Sequence, residues 1–147
     1  MRKWGLITAI LLFITITVVV VLLFQHDARM VRNSVRFRVT GWAYFHEEIR
    51  SVPVHEPLAE PIYIYSGVEG NSPRSECVTY DTNADMETLR RVMKGHFEAR
   101  GAIFQSEGPT GMDFRNERYG IMVMLNTYNK ASRVSVFCLD LKSVGYH

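Results

Sequence analysis

The sequence predicts an α+β protein: a single N-terminal transmembrane helix followed by a small domain in which one helix packs on a mainly antiparallel sheet. Three observations predict this class. The first is a run of twenty-one uncharged, mostly aliphatic residues at 4–24. The second is an amphipathic helical pattern near residue 90. The third is a series of short β-type segments on both sides of that helix.

Residues 4–24 have the length and composition of a membrane-spanning helix. At about 1.5 Å rise per residue, a helix of this length covers roughly 30 Å, the thickness of the hydrocarbon core of a bilayer. Arg2 and Lys3 precede the run, as in a signal peptide, but it is longer than the roughly 7–15 residues of a signal core and no small-x-small cleavage pattern follows. We therefore expect an uncleaved signal anchor, with residues 1–3 in the cytoplasm and residues 25–33 as a juxtamembrane stalk.

The charges that flank the apolar run bear on which side of the membrane holds the domain. Four arginines at 29–38 outnumber Arg2 and Lys3, which by the positive-inside rule favours a cytoplasmic domain. Larger domains, however, cross membranes largely regardless of charge, and a short basic N-terminus usually stays inside. We therefore expect the N-terminus to lie inside and the domain outside. The chain would be a single-pass protein of the inner (plasma) membrane, with residues 34–147 in an extracytoplasmic (periplasmic) domain.

The two cysteines support the same orientation. Cys77 and Cys138 lie in separate β-type segments, and neither belongs to a metal-binding spacing. A disulfide between them would need an oxidising compartment. We predict this disulfide; two buried free thiols in a cytoplasmic domain are the alternative.

The domain is formally neutral. All fifteen acidic residues and fifteen of the seventeen basic residues follow the apolar run. A protein that reads DNA or RNA normally shows a basic stripe or a strong positive excess, so we expect no nucleic-acid partner. The basic cluster at 29–38 lies beside the membrane, where arginines typically meet lipid headgroups.

Short alternating or aromatic segments predict seven strands. The first, at 35–45, alternates apolar and charged residues and is interrupted by Gly41. The segment at 46–61 contains three prolines, and we predict an extended, mobile loop there. Six further strands are predicted at 62–65, 76–80, 102–106, 112–116, 119–128 and 133–141.

One helix is predicted between the third and fourth strands. Polar residues at 81–83 and Asp85 offer N-cap oxygens, and Gly101 is the natural residue to end the helix. Apolar side chains recur at spacings of three and four and form one stripe, made of Met86, Leu89, Met93 and Phe97. This helix must lie on a sheet.

The strand at 119–128 is apolar on both faces, since apolar residues occupy both sets of alternating positions. We expect the helix to cover one face and the segment 35–45 or a partner protein to cover the other. A small apolar ligand between helix and sheet is an alternative, although methionines commonly serve as ordinary core residues. Such a ligand would be lined by Met86, Met93, Met122 and Met124.

The sequence contains no motif for catalysis or cofactor binding. It has no GxSxG elbow and no HExxH, and neither cysteine has a histidine at the spacing of a nucleophile. Two histidines and three glutamates at 46–56 could ligate a metal, but a proline-broken loop does not fix ligand geometry. We therefore predict a protein that is not an enzyme and that has no cofactor and no metal.

The remaining classes are membrane-tethered binding proteins. We expect the domain to bind and regulate or stabilise another envelope protein in a hetero-oligomer. In arrangement and size alone, the chain resembles the small single-pass companions of membrane-embedded transcriptional regulators. An immunity or exclusion protein that blocks an incoming toxin or transfer apparatus is the alternative, less favoured because charges of both signs are mixed along the chain. The aromatic residues best suited to an interface are Trp42, Tyr44, Tyr63 and Tyr65.

Two further hypotheses concern how binding would work. The strand at 62–65 would accept a partner strand if it were a sheet edge, although an internal strand explains the same residues. A pH-sensing or small-ligand domain is also open. Histidine titrates near neutral pH, so His46, His55 or His96 could make partner binding depend on pH.

Overall fold

A computed structural model describes residues 2–31, 34–38, 44–67, 73–128 and 130–144. The fold is α+β, as predicted, with an N-terminal helix α1 (Arg2–Asp27) followed by an antiparallel sheet. The strands are β1 (Arg29–Val31), β2 (Ser34–Phe37), β3 (Ile62–Ser66), β4 (Ser75–Thr82), β5 (Ile103–Gly108), β6 (Gly111–Arg115), β7 (Tyr119–Tyr128) and β8 (Ala131–Asp140). The other helices are α2 (Glu47–Arg50), α3 (Met86–Ala99) and a 3-10 helix (Leu141–Val144).

The eight strands form one sheet in the order β1-β2-β3-β4-β8-β7-β6-β5, and every neighbouring pair is antiparallel. The two longest strands, β7 and β8, pair over their whole length as the predicted hairpin. Six of the predicted strands are confirmed, the first predicted strand at 35–45 is confirmed only up to Phe37, and β1 is additional. At the start of β6, a Cβ atom on Gly111 would lie 2.7 Å from the Val123 carbonyl oxygen, so only glycine fits there.

The alternation of side chains gives the sheet two different faces. One face, which we call the core face, carries Val78, Val123 and Val136, all of them fully buried. Helix α3 packs on this face through its predicted apolar stripe, and Leu89 and Phe97 are also fully buried. The helix begins after Asp85, whose side chain accepts a hydrogen bond from the Thr88 N–H at 2.8 Å, and it ends before Gly101, which has a φ of +78°.

The prediction of an extended loop at 46–61 is wrong for its first half. Helix α2 forms there, and its residue Ile49 is fully buried. Val52, which follows the helix, is also buried. The Tyr80 hydroxyl donates a hydrogen bond to the Pro53 carbonyl at 2.9 Å, which fastens the following stretch to β4. The segment covers the part of the core face that α3 leaves open. Its apolar residues lack a regular period, so sequence patterns do not reveal this role.

The structure also differs from the predicted stalk at 25–33. Helix α1 continues to Asp27, and β1 starts at Arg29 after a single intervening residue, Ala28. Phe24 and Ala28 pack against the core of the domain. Within α1, the stretch Ile7–Gln25 has a mean hydropathy of 3.1 and no burial, which fits a membrane anchor or a signal sequence.

The segment 35–45 does not cover the second face of the sheet. Its strand β2 lies within the sheet between β1 and β3, and residues 39–43, including Trp42, lie outside the described part of the chain. Strand β3 is paired on both sides and is therefore internal rather than an edge. The edges of the sheet are β1 and β5.

The predicted disulfide between Cys77 and Cys138 is wrong. Both thiols are free and buried. The strands that carry them are neighbours, but Cys77 lies opposite Phe137 and Cys138 lies opposite Glu76. Because successive residues of a strand point to opposite faces, the two thiols lie on opposite faces of the sheet and cannot join without a change of register. Burial raises the pKa of the Cys77 thiol to about 12, and that of Cys138 is raised as well.

Candidate functional site

A buried carboxylate lies at the centre of the most polar part of the domain. Glu76 is on the core face of β4, and its side chain is only 2% exposed. Its Oε1 accepts hydrogen bonds from His46 Nδ1 at 2.7 Å and from Arg74 Nη2 at 2.8 Å. Its Oε2 accepts the His46 backbone N–H at 2.7 Å. A buried charge needs such partners, because burying it alone would cost several kcal/mol.

The same cluster fixes the chain on either side of His46. Arg74 Nη2 also approaches the Tyr44 carbonyl oxygen at 3.5 Å, and its guanidinium lies 5.0 Å above the Tyr65 ring. The His46 ring lies 4.9 Å from the ring of Tyr119. Glu76 therefore holds residues 44–46 against the core face.

A polar cleft opens beside this cluster, between α2, the end of α3 and the turn that leads into β7. Its volume is about 690 Å³, and a second cavity of about 330 Å³ adjoins it through Glu47, Glu48 and Asn116. The larger cleft is lined by His46, Glu47, Glu48, Gly101, Ile103, Asn116, Glu117, Arg118 and Tyr119. Burial raises the pKa of Tyr119 to about 12, so its hydroxyl stays protonated.

The cleft resembles half of a catalytic arrangement. A carboxylate that orients an imidazole is the pairing that activates a nucleophile in hydrolases. Among the described residues, however, no serine, threonine or cysteine side chain is hydrogen-bonded to His46. The described part of the chain also brings together no group of three or more His, Cys, Asp or Glu residues that could hold a metal ion. The cleft can accommodate a small polar molecule, but its walls carry charges of both signs.

The three candidate pH-sensing histidines lie in different surroundings. His46 is bonded to Glu76, whereas the His55 backbone N–H donates to the Tyr80 hydroxyl at 3.5 Å. His96 lies on α3 with its Nε2 3.4 Å from Ser51 Oγ. Burial, and then the charge of Arg100, lowers the pKa of His96.

The second face of the sheet carries an apolar strip between polar side chains and is not covered by α2 or α3. We call it the open face. Cys77 at its centre is buried by its neighbours, but Met122 is 38% exposed and the other apolar side chains are partly exposed. A groove of about 320 Å³ runs along it beside Ile62 and Ile64. The apolar residues of the open face are Ile62, Ile64, Cys77, Met122, Phe137 and Leu139, with Met124 at the margin of this group.

Four polar side chains on the open face are bonded in two pairs. The hydroxyls of Thr79 and Ser135 lie 2.9 Å apart, and Thr79 also donates to the Val134 carbonyl at 3.0 Å. Arg133 donates to both carboxylate oxygens of Asp81, at 2.7 and 3.0 Å. Because these groups already have partners, another protein could cover the face without leaving them unsatisfied.

The β5 edge is less suited to a partner than the open face. A bulge between Phe104 and Ser106 interrupts its ladder, which is a common protection of exposed edges. Arg90 of α3 bonds Glu107 at 2.6 Å and the Gly108 carbonyl at 3.1 Å, so the end of the strand is tied to the helix. Addition of a partner strand there would meet an irregular edge.

The aromatic residues proposed for partner binding are divided by the structure. Tyr63 and Tyr65 lie on the core-face side, and the Tyr63 ring packs 5.4 Å from that of Phe45. Tyr44 is 54% exposed, and Trp42 lies outside the described residues. A role of these residues in binding stays a prediction. Of the three tyrosines, Tyr44 is the most exposed to solvent.

The four methionines proposed to line one ligand cavity do not meet. Met93 lies on α3 and is fully buried between this helix and the core face. Met122 and Met124 alternate with the core residue Val123, so their side chains lie on the open face. Sequence reasoning overlooked Glu76. The two-residue period of a strand places Glu76 on the same apolar face as Val78 and Tyr80. This pattern in the sequence would have predicted a buried carboxylate.

We predict that replacing Glu76 destabilises the domain far more than the same chemical change at an exposed ion pair. Glu76→Gln removes the buried negative charge that both His46 and Arg74 bond and should lower the free energy of unfolding by about 3–5 kcal/mol. Asp81→Asn, on the same strand, removes a pair whose side chains are 36–42% exposed and should cost about 1 kcal/mol or less. Urea titration of the full chain in detergent measures both, and equal losses would contradict the prediction.

We predict that His96 makes the domain less stable in acid. In the unfolded chain His96 binds a proton near its ordinary pKa of 6.5, whereas the folded domain resists this proton until a lower pH. The free energy of unfolding should therefore fall as the pH drops below 6.5. His96→Gln should make this fall less steep, and a comparison near pH 8, where the imidazole is neutral, isolates any packing effect. An unchanged slope would exclude His96 as a source.

No family model, curated protein or solved structure matches the chain.

Proposed function

We propose that the chain is a non-enzymatic single-pass membrane protein whose folded domain binds a second membrane protein through the open face and regulates or stabilises it. One observation carries this proposal: the open face has a strip of apolar side chains that α2 and α3 do not cover. Soluble domains rarely expose contiguous apolar surface without a binding role. The paired polar groups at Thr79 and Asp81 lower the cost of covering it.

The partner is proposed to be tethered to the same membrane. A single residue, Ala28, separates α1 from β1, so the sheet has little freedom to move away from the bilayer. A second protein in that membrane is confined to the same thin zone next to the bilayer. This confinement raises the effective concentration of the second protein near the open face. Contact between two tethered domains therefore needs only modest intrinsic affinity.

The anchor is proposed to stay uncleaved and the domain to lie outside the cytoplasm. Phe24 and Ala28 pack against the core of the domain, so cleavage near the end of α1 would remove packed residues. The short basic N-terminus with Arg2 and Lys3 supports an inside position for that end. The free cysteines carry no information about the compartment.

Replacing Met122 should abolish capture of the partner. Met122→Glu places a charge in the open face, where a central contact is typically worth 2 kcal/mol or more, so capture by crosslinking in intact membranes should fall at least about tenfold. The matched control is Ile103→Glu on the β5 edge, where Ile103 is 67% exposed. This variant should capture the same membrane protein as the parent chain.

Each outcome of this experiment has a definite meaning. Capture of one membrane protein that is lost only in Met122→Glu supports the proposal. Loss in both variants, or in neither, contradicts it, as does crosslinking of the chain only to another copy of itself. Recovery of a secreted toxin or a transfer protein in place of a resident membrane protein would favour the immunity or exclusion class.

The side of the membrane is tested with a single added thiol. Arg91 lies exposed on α3, so Arg91→Cys should react with a membrane-impermeant maleimide in intact cells. The two native thiols are buried with raised pKa values and should stay unlabelled, which makes the parent chain the control. Labelling of Arg91→Cys only after lysis would place the domain in the cytoplasm.

A further inference from the structure

Three aromatic rings join the end of the membrane helix to the domain. The ring of Phe24 lies 5.9 Å from that of Phe37 and 5.4 Å from that of Tyr44, in edge-to-face contacts. Phe37 and Tyr44 are stacked on each other at 5.6 Å. The three rings form a closed cluster, which we call the aromatic junction.

The aromatic junction sets the height of Tyr44 relative to the bilayer. Phe24 is the penultimate residue of the apolar stretch Ile7–Gln25, so in a membrane it lies at the boundary of the hydrocarbon core. A ring in contact with Phe24 lies at nearly the same depth. Tyr44 is 54% exposed, and a tyrosine at this depth occupies the interfacial zone that such rings prefer.

Two exposed arginines lie in the strand that carries Phe37 or directly after it. Arg36 and Arg38 flank Phe37 in sequence, and both are exposed. Phe37 itself is buried at 6% exposure. The alternation of β2 places Arg36 on the open face, away from the rings of the junction, and its register partner is Arg29, two residues after the end of α1. Guanidinium groups at the level of the headgroups attract anionic phospholipids.

The junction is held in place from within the domain. Arg74 reaches the Tyr44 carbonyl oxygen while it bonds the buried Glu76, and His46 is bonded to the same carboxylate. Phe45, between them, is 3% exposed and packs against Phe37 at 6.1 Å. Tyr44 is thus part of the folded domain and cannot swing away from Phe24 independently.

We propose that the folded domain makes its own contact with the membrane, in which Tyr44 enters the headgroup region of an anionic phospholipid bilayer and Arg36 and Arg38 bind the headgroups. This proposal rests on α1 being a membrane anchor, as proposed above. The contact fixes the orientation of the sheet, so the open face is presented in one direction relative to the bilayer.

The test compares single tryptophans in full chains reconstituted into nanodiscs of phosphatidylcholine and phosphatidylglycerol with brominated acyl chains. In a background with Trp4→Phe and Trp42→Phe, Tyr44→Trp is compared with Tyr128→Trp. Tyr128 is the matched control because it is 55% exposed and lies at the far end of β7. The bromine atoms should quench residue 44 at least about twofold more than residue 128.

A chain that keeps only Trp4, through Trp42→Phe, separates the two proposals. Quenching of Trp4 without quenching at residue 44 overturns the domain contact and leaves the anchor intact. Absence of quenching at Trp4 overturns the anchor itself. If Tyr44→Trp disturbs the junction, a spin label at Arg38→Cys gives a second measure, and its accessibility to oxygen and to a polar nickel reagent should place it at the headgroup level.

The lipid charge is tested in the same nanodiscs. Replacing phosphatidylglycerol with phosphatidylcholine, or both Arg36 and Arg38 with glutamine, should weaken quenching at residue 44 and leave Trp4 unchanged. Equal quenching at residue 44 in both lipids would overturn the proposed role of the arginines.

Discussion

The buried carboxylate of Glu76 is the constraint on which the arrangement around the end of α1 depends. A charge with 2% exposure must be paired, and the partners available are His46 and Arg74. Their bonds draw residues 44–46 onto the core face, which places Phe45 in the core and Tyr44 beside Phe24. Through these contacts one polar group in the centre of the sheet determines how the domain is joined to α1.

The two faces of the sheet are unequal because α2 and α3 both pack on the core face. Helix α3 covers the half of the core face formed by β5, β6 and β7, and the segment with α2 covers the half near β4 and β8. The described residues provide no third layer for the other side. Neighbouring side chains shield Cys77 on this face, whereas Met122 stays 38% exposed.

Local sequence patterns were sufficient for most of the secondary structure and insufficient for the site. The spacing of Leu89, Met93 and Phe97 identified α3 because its pattern is complete within fourteen residues. The prolines at 46–61 suggested a loop, but long-range packing of Ile49 gave that segment a helix and a place in the core. The disulfide prediction failed because pairing of cysteines depends on strand register, which places Cys77 and Cys138 on opposite faces.

By itself, the sequence determined the apolar helix, the order of helix and strands and the antiparallel class, because each follows from periodicity and composition over short distances. Only the tertiary structure decided which face of the sheet is covered, which charge is buried and how the domain meets the end of α1. These features arise from contacts between residues far apart in the chain, such as His46 with Glu76 and Phe24 with Tyr44. No local pattern encodes such contacts, since they depend on strand order and register.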